Sequence, residues 1–177
     1  MDYRNAGLAA EFKLILTPEN IRPLQIIHAA LAMGVISFAG VILFLFYAAP
    51  PGDGSNAPVV LQLSAVHGVM ALVCFPGSAI LYNRFLKKSG GDPALSRSRT
   101  PLGILAVIRT ASIVRIAVME GAAFFGLVVT FLAVSGGVIQ SNSVYWLNTL
   151  SAILMVGSIA QGFPTADRLE RIFREKM

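Results

Sequence analysis

An acid and two histidines lie within long apolar stretches of this sequence, and each is a candidate for chemistry. Glu120 is the only acid inside such a stretch, and His28 and His67 are the only histidines of the chain. Ionisable groups are costly in an apolar environment, so each of them indicates a function or a specific hydrogen-bond partner. Helical spacing places Gln25, His28 and Glu120 at a similar depth, with Arg115 near the rim.

These four residues, Gln25, His28, Arg115 and Glu120, form a candidate polar cluster with three interpretations. A hydrogen bond between His28 and Glu120 would fix the register of two helices. A proton- or ion-binding site is the second interpretation, and contact with a partner subunit or a lipid head group is the third. His67 lies about 15 Å from the level of His28, so the two histidines are not expected to clamp one haem iron. We interpret His67 as a buried hydrogen-bonding group.

The motifs of common enzyme sites are missing from the sequence. It has no G-x-S-x-G, no Walker loop and no dinucleotide fingerprint. Two histidines and the single cysteine, Cys74, are also too few for a usual metal site or an internal disulfide. We therefore predict no enzyme activity, no catalytic residues, no cofactor and no metal.

Composition predicts a membrane protein. The 177 residues are 55% hydrophobic and only 13% charged, with a mean hydropathy of +0.71. A helix needs about 20 apolar residues to cross the hydrocarbon core. Four stretches qualify, at about 23–47, 58–83, 113–134 and 144–163. We predict an all-α, integral membrane four-helix bundle that forms a single domain over residues 1–177.

The basic residues predict the orientation. All fourteen Lys and Arg residues precede the first span, follow the fourth, or lie between the second and third spans and at the start of the third. Asp53 is the only charge in the other two connections. By the positive-inside rule, both termini lie in the cytoplasm of a multi-pass protein. The basic residues then face anionic membrane lipids, and no nucleic-acid partner is expected.

The C-terminal tail, residues 165–177, has an amphipathic pattern. Leu169, Ile172 and Phe173 recur at helical spacing among charged residues. One interpretation is a helix that lies in solvent or on the lipid surface, and the other is a helix that docks on a partner.

The first and third spans resemble each other at a shift of 87 residues. Ala30 and Gly34 align with Ala117 and Gly121, so that both spans carry A-x-x-x-G. Small residues four apart allow helices to approach closely in lipid, and all four are predicted packing residues. Two duplicated helical hairpins are one explanation of this repeat, and chance similarity between apolar segments is the other.

Residues 109–128, RTASIVRIAVMEGAAFFGLV, resemble a known pattern together with FPTADRLERIF near the end. The pattern, RTxxIxRxAxxEG, is similar to that of a family of small four-helix bacterial membrane proteins. This resemblance implies the same fold in a bacterial inner membrane and leaves the activity open. MEGAAFFGLV, residues 119–128, is also similar to the proteolipid (c-type) subunits of rotary ATPases. That second resemblance implies that Glu120 is an ion-binding carboxylate, although Glu120 lies nearer the inner surface than theirs.

We therefore predict a non-catalytic subunit or interaction protein of a larger bacterial inner-membrane complex. Its partners would be membrane lipids and other membrane subunits, or a second copy of the chain. The alternative is a proton- or cation-coupled membrane component that uses Glu120, with His28 as its neighbour. An enzyme of lipid or quinone chemistry has the least support in the residues.

Overall fold

The computed structural model describes residues 3–48, 52–91 and 100–176, and all regular structure in these ranges is helical. The elements are α1 (Tyr3–Ile15), α2 (Pro18–Ala48), α3 (Ala57–Gly91), α4 (Pro101–Ser135), the short α5 (Val138–Ser141), a 3-10 helix (Ser143–Thr149), α6 (Leu150–Gly162) and α7 (Ala166–Lys176). The prediction of an all-α chain is confirmed. Arg97, Arg99 and Met177, on which the sequence predictions partly rest, lie outside the described residues.

Four of these helical segments are long and apolar enough to cross a membrane. They are Pro18–Ala48, Ala57–Lys87, Pro101–Ser135 and Ser143–Gly162. Each contains or largely covers one of the four stretches that hydropathy indicated, so the prediction of four apolar helices in a helical bundle is confirmed. Each helical segment extends beyond its predicted span, because charged and polar residues continue the helix past the apolar stretch. The exception is the C-terminal end of the fourth segment, which stops at Gly162, one residue before the predicted end.

Prolines and a threonine mark the beginnings of two of these helices. Pro18 is the first residue of α2, where the missing N–H costs no helical hydrogen bond. The side chain of Thr100 caps α4 by accepting a hydrogen bond of 3.2 Å from the backbone N–H of Gly103. Pro23 and Pro76 lie inside α2 and α3 respectively.

The helix α4 occupies the centre of the bundle. Half of its most apolar 18-residue segment is buried, against 11% for the corresponding segments of α2 and α3. It packs against α2, α3 and α6, and α2 also contacts α6. The sequence repeat pairs α2 with α4, yet one helix is peripheral and the other central. The two helices are therefore not equivalent in the bundle.

The fourth apolar segment begins as a 3-10 helix, where the sequence predicted a continuous α-helix. The side chain of Asn142 accepts a hydrogen bond of 3.1 Å from the backbone N–H of Val144 and so starts this element. A 3-10 helix has three residues per turn, which aligns Tyr145 with Asn148, and Ser151 follows three residues later. All three are buried. The tighter winding thus directs polar side chains into the bundle.

Two connections meet at one end of the molecule, which we call the loop end. The backbone N–H of Gly54 donates a hydrogen bond of 2.8 Å to the carbonyl of Gly136. A Cβ atom on Gly52 would lie 2.6 Å from the carbonyl carbon of Gly136, so the loops between α2 and α3 and after α4 are in backbone contact. The helices α1 and α7 pack at the opposite end, which we call the terminal end.

The terminal end has its own apolar core. The rings of Phe12 in α1 and Phe173 in α7 stack with centroids 4.6 Å apart, and Leu169 is buried beside them. The helix predicted in the C-terminal tail is confirmed as α7, but its apolar face is covered by the chain itself. The helix α1 was not predicted from the sequence, although its Leu8, Phe12 and Ile15 recur at helical spacing and belong to the same cluster.

Candidate functional site

A cavity of about 170 Å³ opens at the terminal end, between α2, α3, α4, α6 and α7. Two members of the predicted polar cluster, His28 and Arg115, lie on its wall. The other polar residues on the wall are Tyr82, Ser112, Ser158, Arg168, Arg171 and Glu175. The structure therefore places these two residues at a polar cavity to which α3, α6 and α7 also contribute.

Arg115 is held against an aromatic ring in this cavity. Its guanidinium carbon lies 5.5 Å from the centroid of the Tyr82 ring, within the range of a cation–π interaction. The Nε atom of Arg115 is buried and has no hydrogen-bond partner among the described residues. The guanidinium of Arg115 is thus positioned on the cavity wall by the Tyr82 ring.

His28 is buried on the same wall and bonds within its own helix. Its Nδ1 atom lies 2.8 Å from the carbonyl oxygen of Leu24. Because a carbonyl oxygen only accepts hydrogen bonds, this contact places a proton on Nδ1. The ring also meets Phe163 edge-on, with centroids 6.4 Å apart. Among the described residues, no hydrogen bond joins His28 to Glu120.

The other two members of the predicted cluster lie outside the cavity wall. The side-chain amide of Gln25 donates a hydrogen bond of 2.9 Å to the carbonyl of Pro164, which connects α2 to the start of the tail. Glu120 is partly exposed on α4. Among the described residues it makes no hydrogen bond and no salt bridge. The structure therefore separates Glu120 from His28 and Arg115.

The four predicted packing residues are all exposed. Ala30 and Gly34 lie on the surface of α2, and Ala117 and Gly121 lie on the surface of α4. A Cβ atom on Gly34 would come within 3.8 Å of Phe124, one turn along α4 from Gly121, whereas Gly121 has nothing within 4 Å. Gly34 therefore lies close to α4, and all four small residues retain exposed surface. Whether they pack against another chain stays a prediction.

A second polar group lies deeper in the bundle, around His67. Nδ1 of His67 lies 2.9 Å from the amide oxygen of Asn148, and Nε2 lies 3.0 Å from the hydroxyl of Ser151. The amide nitrogen of Asn148 donates to the hydroxyl of Ser64 at 2.9 Å and to the carbonyl of Tyr145. Its oxygen therefore accepts from His67, which places the imidazole proton on Nδ1. The interpretation of His67 as a buried hydrogen-bonding group is confirmed.

Gly126 makes this arrangement possible. A Cβ atom at Gly126 would lie 2.3 Å from the backbone oxygen of Asn148 and 2.5 Å from Nε2 of His67. No real Cβ atom approaches other atoms so closely, so only glycine allows α3 and the 3-10 helix to close on α4 at this level. The imidazole of His67 in α3 thus bonds both to Asn148 of the 3-10 helix and to Ser151 of α6, so one side chain connects three segments.

Ser151, His67 and Asn148 have the connectivity of a nucleophile, a base and an orienting group. They also border an apolar groove of about 610 Å³ between α3 and the 3-10 helix. However, Ser151 and His67 are only 3% and 5% exposed. Ser151 lies inside a helical segment, where backbone N–H groups bond to preceding carbonyls and do not form an oxyanion hole. The arrangement is better suited to fixing helix positions than to acyl transfer.

The sequence carried a signal for this second group that the analysis above did not use. Ser64 and His67 are three residues apart in one apolar span, and Asn148 and Ser151 are three residues apart in another. Polar residues at helical spacing lie on one face, and two such faces in a bundle satisfy each other's hydrogen bonds. Within residues 3–48, 52–91 and 100–176, no group of three or more His, Cys, Asp or Glu residues could hold a metal ion.

Comparisons of the chain with protein-family models, with curated proteins and with solved structures found no match. The two resemblances seen in residues 109–128 therefore stay predictions.

Proposed function

We propose that this chain is a non-catalytic integral membrane subunit or interaction protein of a larger complex in a bacterial inner membrane. It spans the membrane four times with both termini in the cytoplasm. Four helices of sufficient length and apolar character support the multi-pass topology. The two connections at the loop end carry Asp53 as their only charge, which supports placing that end outside the cytoplasm. The basic residues outside the spans supply the orientation.

The exposed faces of the outer helices support contact with lipid or with other membrane helices. Large apolar side chains cover the outside of α2 and α3. Examples on α2 are Ile26, Met33, Ile36 and Phe44, and examples on α3 are Leu61, Val69, Leu72 and Ile80. In water such contiguous surfaces would promote aggregation, whereas in a bilayer they are in contact with acyl chains.

The partly exposed carboxylate of Glu120 is the observation that carries the proposal. An acid in an apolar span normally points into its own bundle and pairs there, but Glu120 has no such partner among the described residues. Ala117 and Gly121, which flank it on α4, are exposed and small enough to let another helix approach. A donor from a second chain would satisfy Glu120 at this close contact.

Copurification from native membranes tests the proposal. The unmodified chain should retain a partner or form an oligomer. Gly121→Leu and Glu120→Ala should each reduce that association about tenfold or more, since one blocks the close approach and the other removes the hydrogen bond. Ala65→Leu, a small-to-large change on the exposed surface of α3, is the matched control. Equal association of all three variants would contradict the proposal.

Glu120→Gln distinguishes the alternative of proton or cation coupling. Glutamine retains the size and hydrogen-bonding capacity of the side chain but cannot release a proton. If Glu120 only contacts a partner, Glu120→Gln should assemble and function almost normally. If it carries an ion, the variant should assemble and lose all proton-coupled activity, which would replace the subunit proposal by the coupling one.

Labelling of single cysteines tests the orientation. In a chain whose Cys74 is replaced by serine, Ser55→Cys at the loop end should react with an impermeant maleimide added to intact spheroplasts. Glu175→Cys at the terminal end should react only after the membrane is permeabilised. The reverse pattern would show that the termini lie outside the cytoplasm.

A further inference from the structure

The cavity at the terminal end combines features that no role of Glu120 explains. Three arginines from two helices meet on its wall: Arg115 of α4, and Arg168 and Arg171 of α7. Among the residues that the structure describes, Glu175 is the only acid on that wall. In the same part of the chain, both salt bridges are made by Glu170, with Lys13 and Arg174, and neither involves these arginines. The lining therefore carries more positive than negative charge, and Glu175 forms no ion pair with the three arginines.

The arginines also retain unused donors. The ring of Tyr82 holds the guanidinium of Arg115 in position, and Nε of Arg115 is buried without a partner among the described residues. Arg168 donates one hydrogen bond to the carbonyl of Gln161, which leaves most of its five N–H groups available. The remaining N–H groups of the two guanidinium ions are the donors that an anion in the cavity would use.

Neutral donors complete the lining. The hydroxyl groups of Tyr82, Ser112 and Ser158 come from three different helices and border the same space. Guanidinium and hydroxyl groups are the side chains that most often bind phosphate oxygens, with arginine able to donate two parallel bonds. A cavity of about 150 Å³ can hold a molecule of benzene. The 170 Å³ found in this protein is therefore sufficient for a phosphate group.

We propose that this cavity binds a phosphate group, carried either by an anionic phospholipid or by a free phosphate ion. The inference rests on the membrane placement proposed above, but not on association through Glu120. The cavity lies at the terminal end, where α4 passes from its basic beginning into its apolar part, so it coincides with the head-group level of one leaflet. Arg115 and Arg168 bind the phosphate oxygens, and the hydroxyl groups orient them.

Retention of phosphatidylglycerol tests whether the cavity binds a phosphate group. The full chain, reconstituted in nanodiscs of phosphatidylglycerol and phosphatidylcholine, is released into detergent and examined by native mass spectrometry. The unmodified chain should retain one phosphatidylglycerol, and Arg115→Gln and Arg168→Gln should each lower that retention about tenfold. Arg22→Gln is the matched control, because Arg22 is exposed near the same end and does not border the cavity.

A parallel titration with inorganic phosphate distinguishes the two sources. If millimolar phosphate displaces the lipid or protects the chain thermally, and Arg115→Gln abolishes that effect, the site takes free phosphate as well. If only phosphatidylglycerol binds, the site is a lipid site. Arg115→Lys, which keeps the charge, should bind with intermediate strength and shows that loss of binding is not loss of folding.

The proposal is overturned if phosphatidylglycerol retention and the phosphate response are both unchanged in Arg115→Gln and Arg168→Gln. Glu120→Ala separates this result from the proposed function. It should lose association with partner helices and still retain the lipid, because Glu120 lies outside the cavity wall. If the chain shows no partner association but still binds lipid in an arginine-dependent way, the proposed function fails and the phosphate site is retained.

Discussion

The imidazole of His67 and the side-chain amide of Asn148 are joined by a hydrogen bond of 2.9 Å, although 81 residues separate them in the chain. The bond connects α3 to the 3-10 helix within a small polar group that also includes Ser64 and Ser151. Both side chains are buried, so neither could exchange this bond for one with water. It therefore fixes the relative position of two apolar segments that hydrophobic contact alone would leave free to slide.

Removal of the amide should weaken the whole bundle. Asn148→Ala leaves Nδ1 of His67 and the hydroxyl of Ser64 without their shared partner, at a cost of about 1 to 3 kcal/mol in the free energy of unfolding. Thermal unfolding in detergent, followed by intrinsic fluorescence, measures the loss. Asn83→Ala, at an exposed position of α3, is the control. If both variants unfold at the same temperature, the hydrogen-bonded group around His67 contributes nothing to the stability of the bundle.

A single methyl group at Gly126 should have a comparable effect. Gly126→Ala places a Cβ atom within 2.5 Å of both Asn148 and His67, so helices must separate, and we expect a loss of about 1 to 3 kcal/mol. Gly121→Ala on the same helix meets nothing within 4 Å and should be neutral or stabilising by up to about 1 kcal/mol. Equilibrium unfolding should therefore show a loss of stability in Gly126→Ala and none in Gly121→Ala, and an equal loss in both variants would refute the steric argument.

The contact between Phe12 and Phe173 should hold both terminal helices in place. Phe12 is fully buried, and Phe12→Ala removes about 3 to 5 kcal/mol of local packing free energy. Hydrogen exchange of α1 and α7 should then become fast while exchange in α4 stays slow. Leu14→Ala, at a position that is 78% exposed, should leave the exchange unchanged. Protected amides in α1 of the Phe12→Ala variant would contradict this role.

The loop end should respond to acid. The backbone N–H of Ser55 donates a 3.0 Å hydrogen bond to Asp53, which lowers the pKa of that carboxyl below its ordinary value. Because the folded pKa is depressed, the stabilisation is present above the unfolded pKa and is lost as pH falls through the folded pKa. The carboxyl carbon resonance of Asp53 should titrate at a lower pH in the protein than in a denatured peptide of residues 52–58. Equal midpoints would show that the bond does not persist in solution.

The amino-acid sequence by itself determined that the chain forms four long apolar helices. A run of about 20 apolar residues decides this locally, since a helix satisfies its backbone hydrogen bonds within the segment. The starts of α4 after Thr100 and of α2 at Pro18 are also local, because a cap and a first-turn proline act only on neighbouring residues. The amphipathic pattern around Leu169 and Phe173 was sufficient to predict α7. Such features depend only on residues within a few turns of each other.

Tertiary structure decided which polar side chains meet. The sequence predicts a similar membrane depth for Gln25, His28 and Glu120. In the structure, however, Glu120 is partly exposed on the outside of α4, whereas His28 lies on the cavity wall with Arg115. Hydropathy reports how deep a residue lies, but not the direction in which its helix faces. For the same reason, the partnership of His67 with Asn148 required the packed bundle, in which Gly126 permits the close approach. Depth is a local property of the chain, whereas facing direction depends on every neighbouring helix.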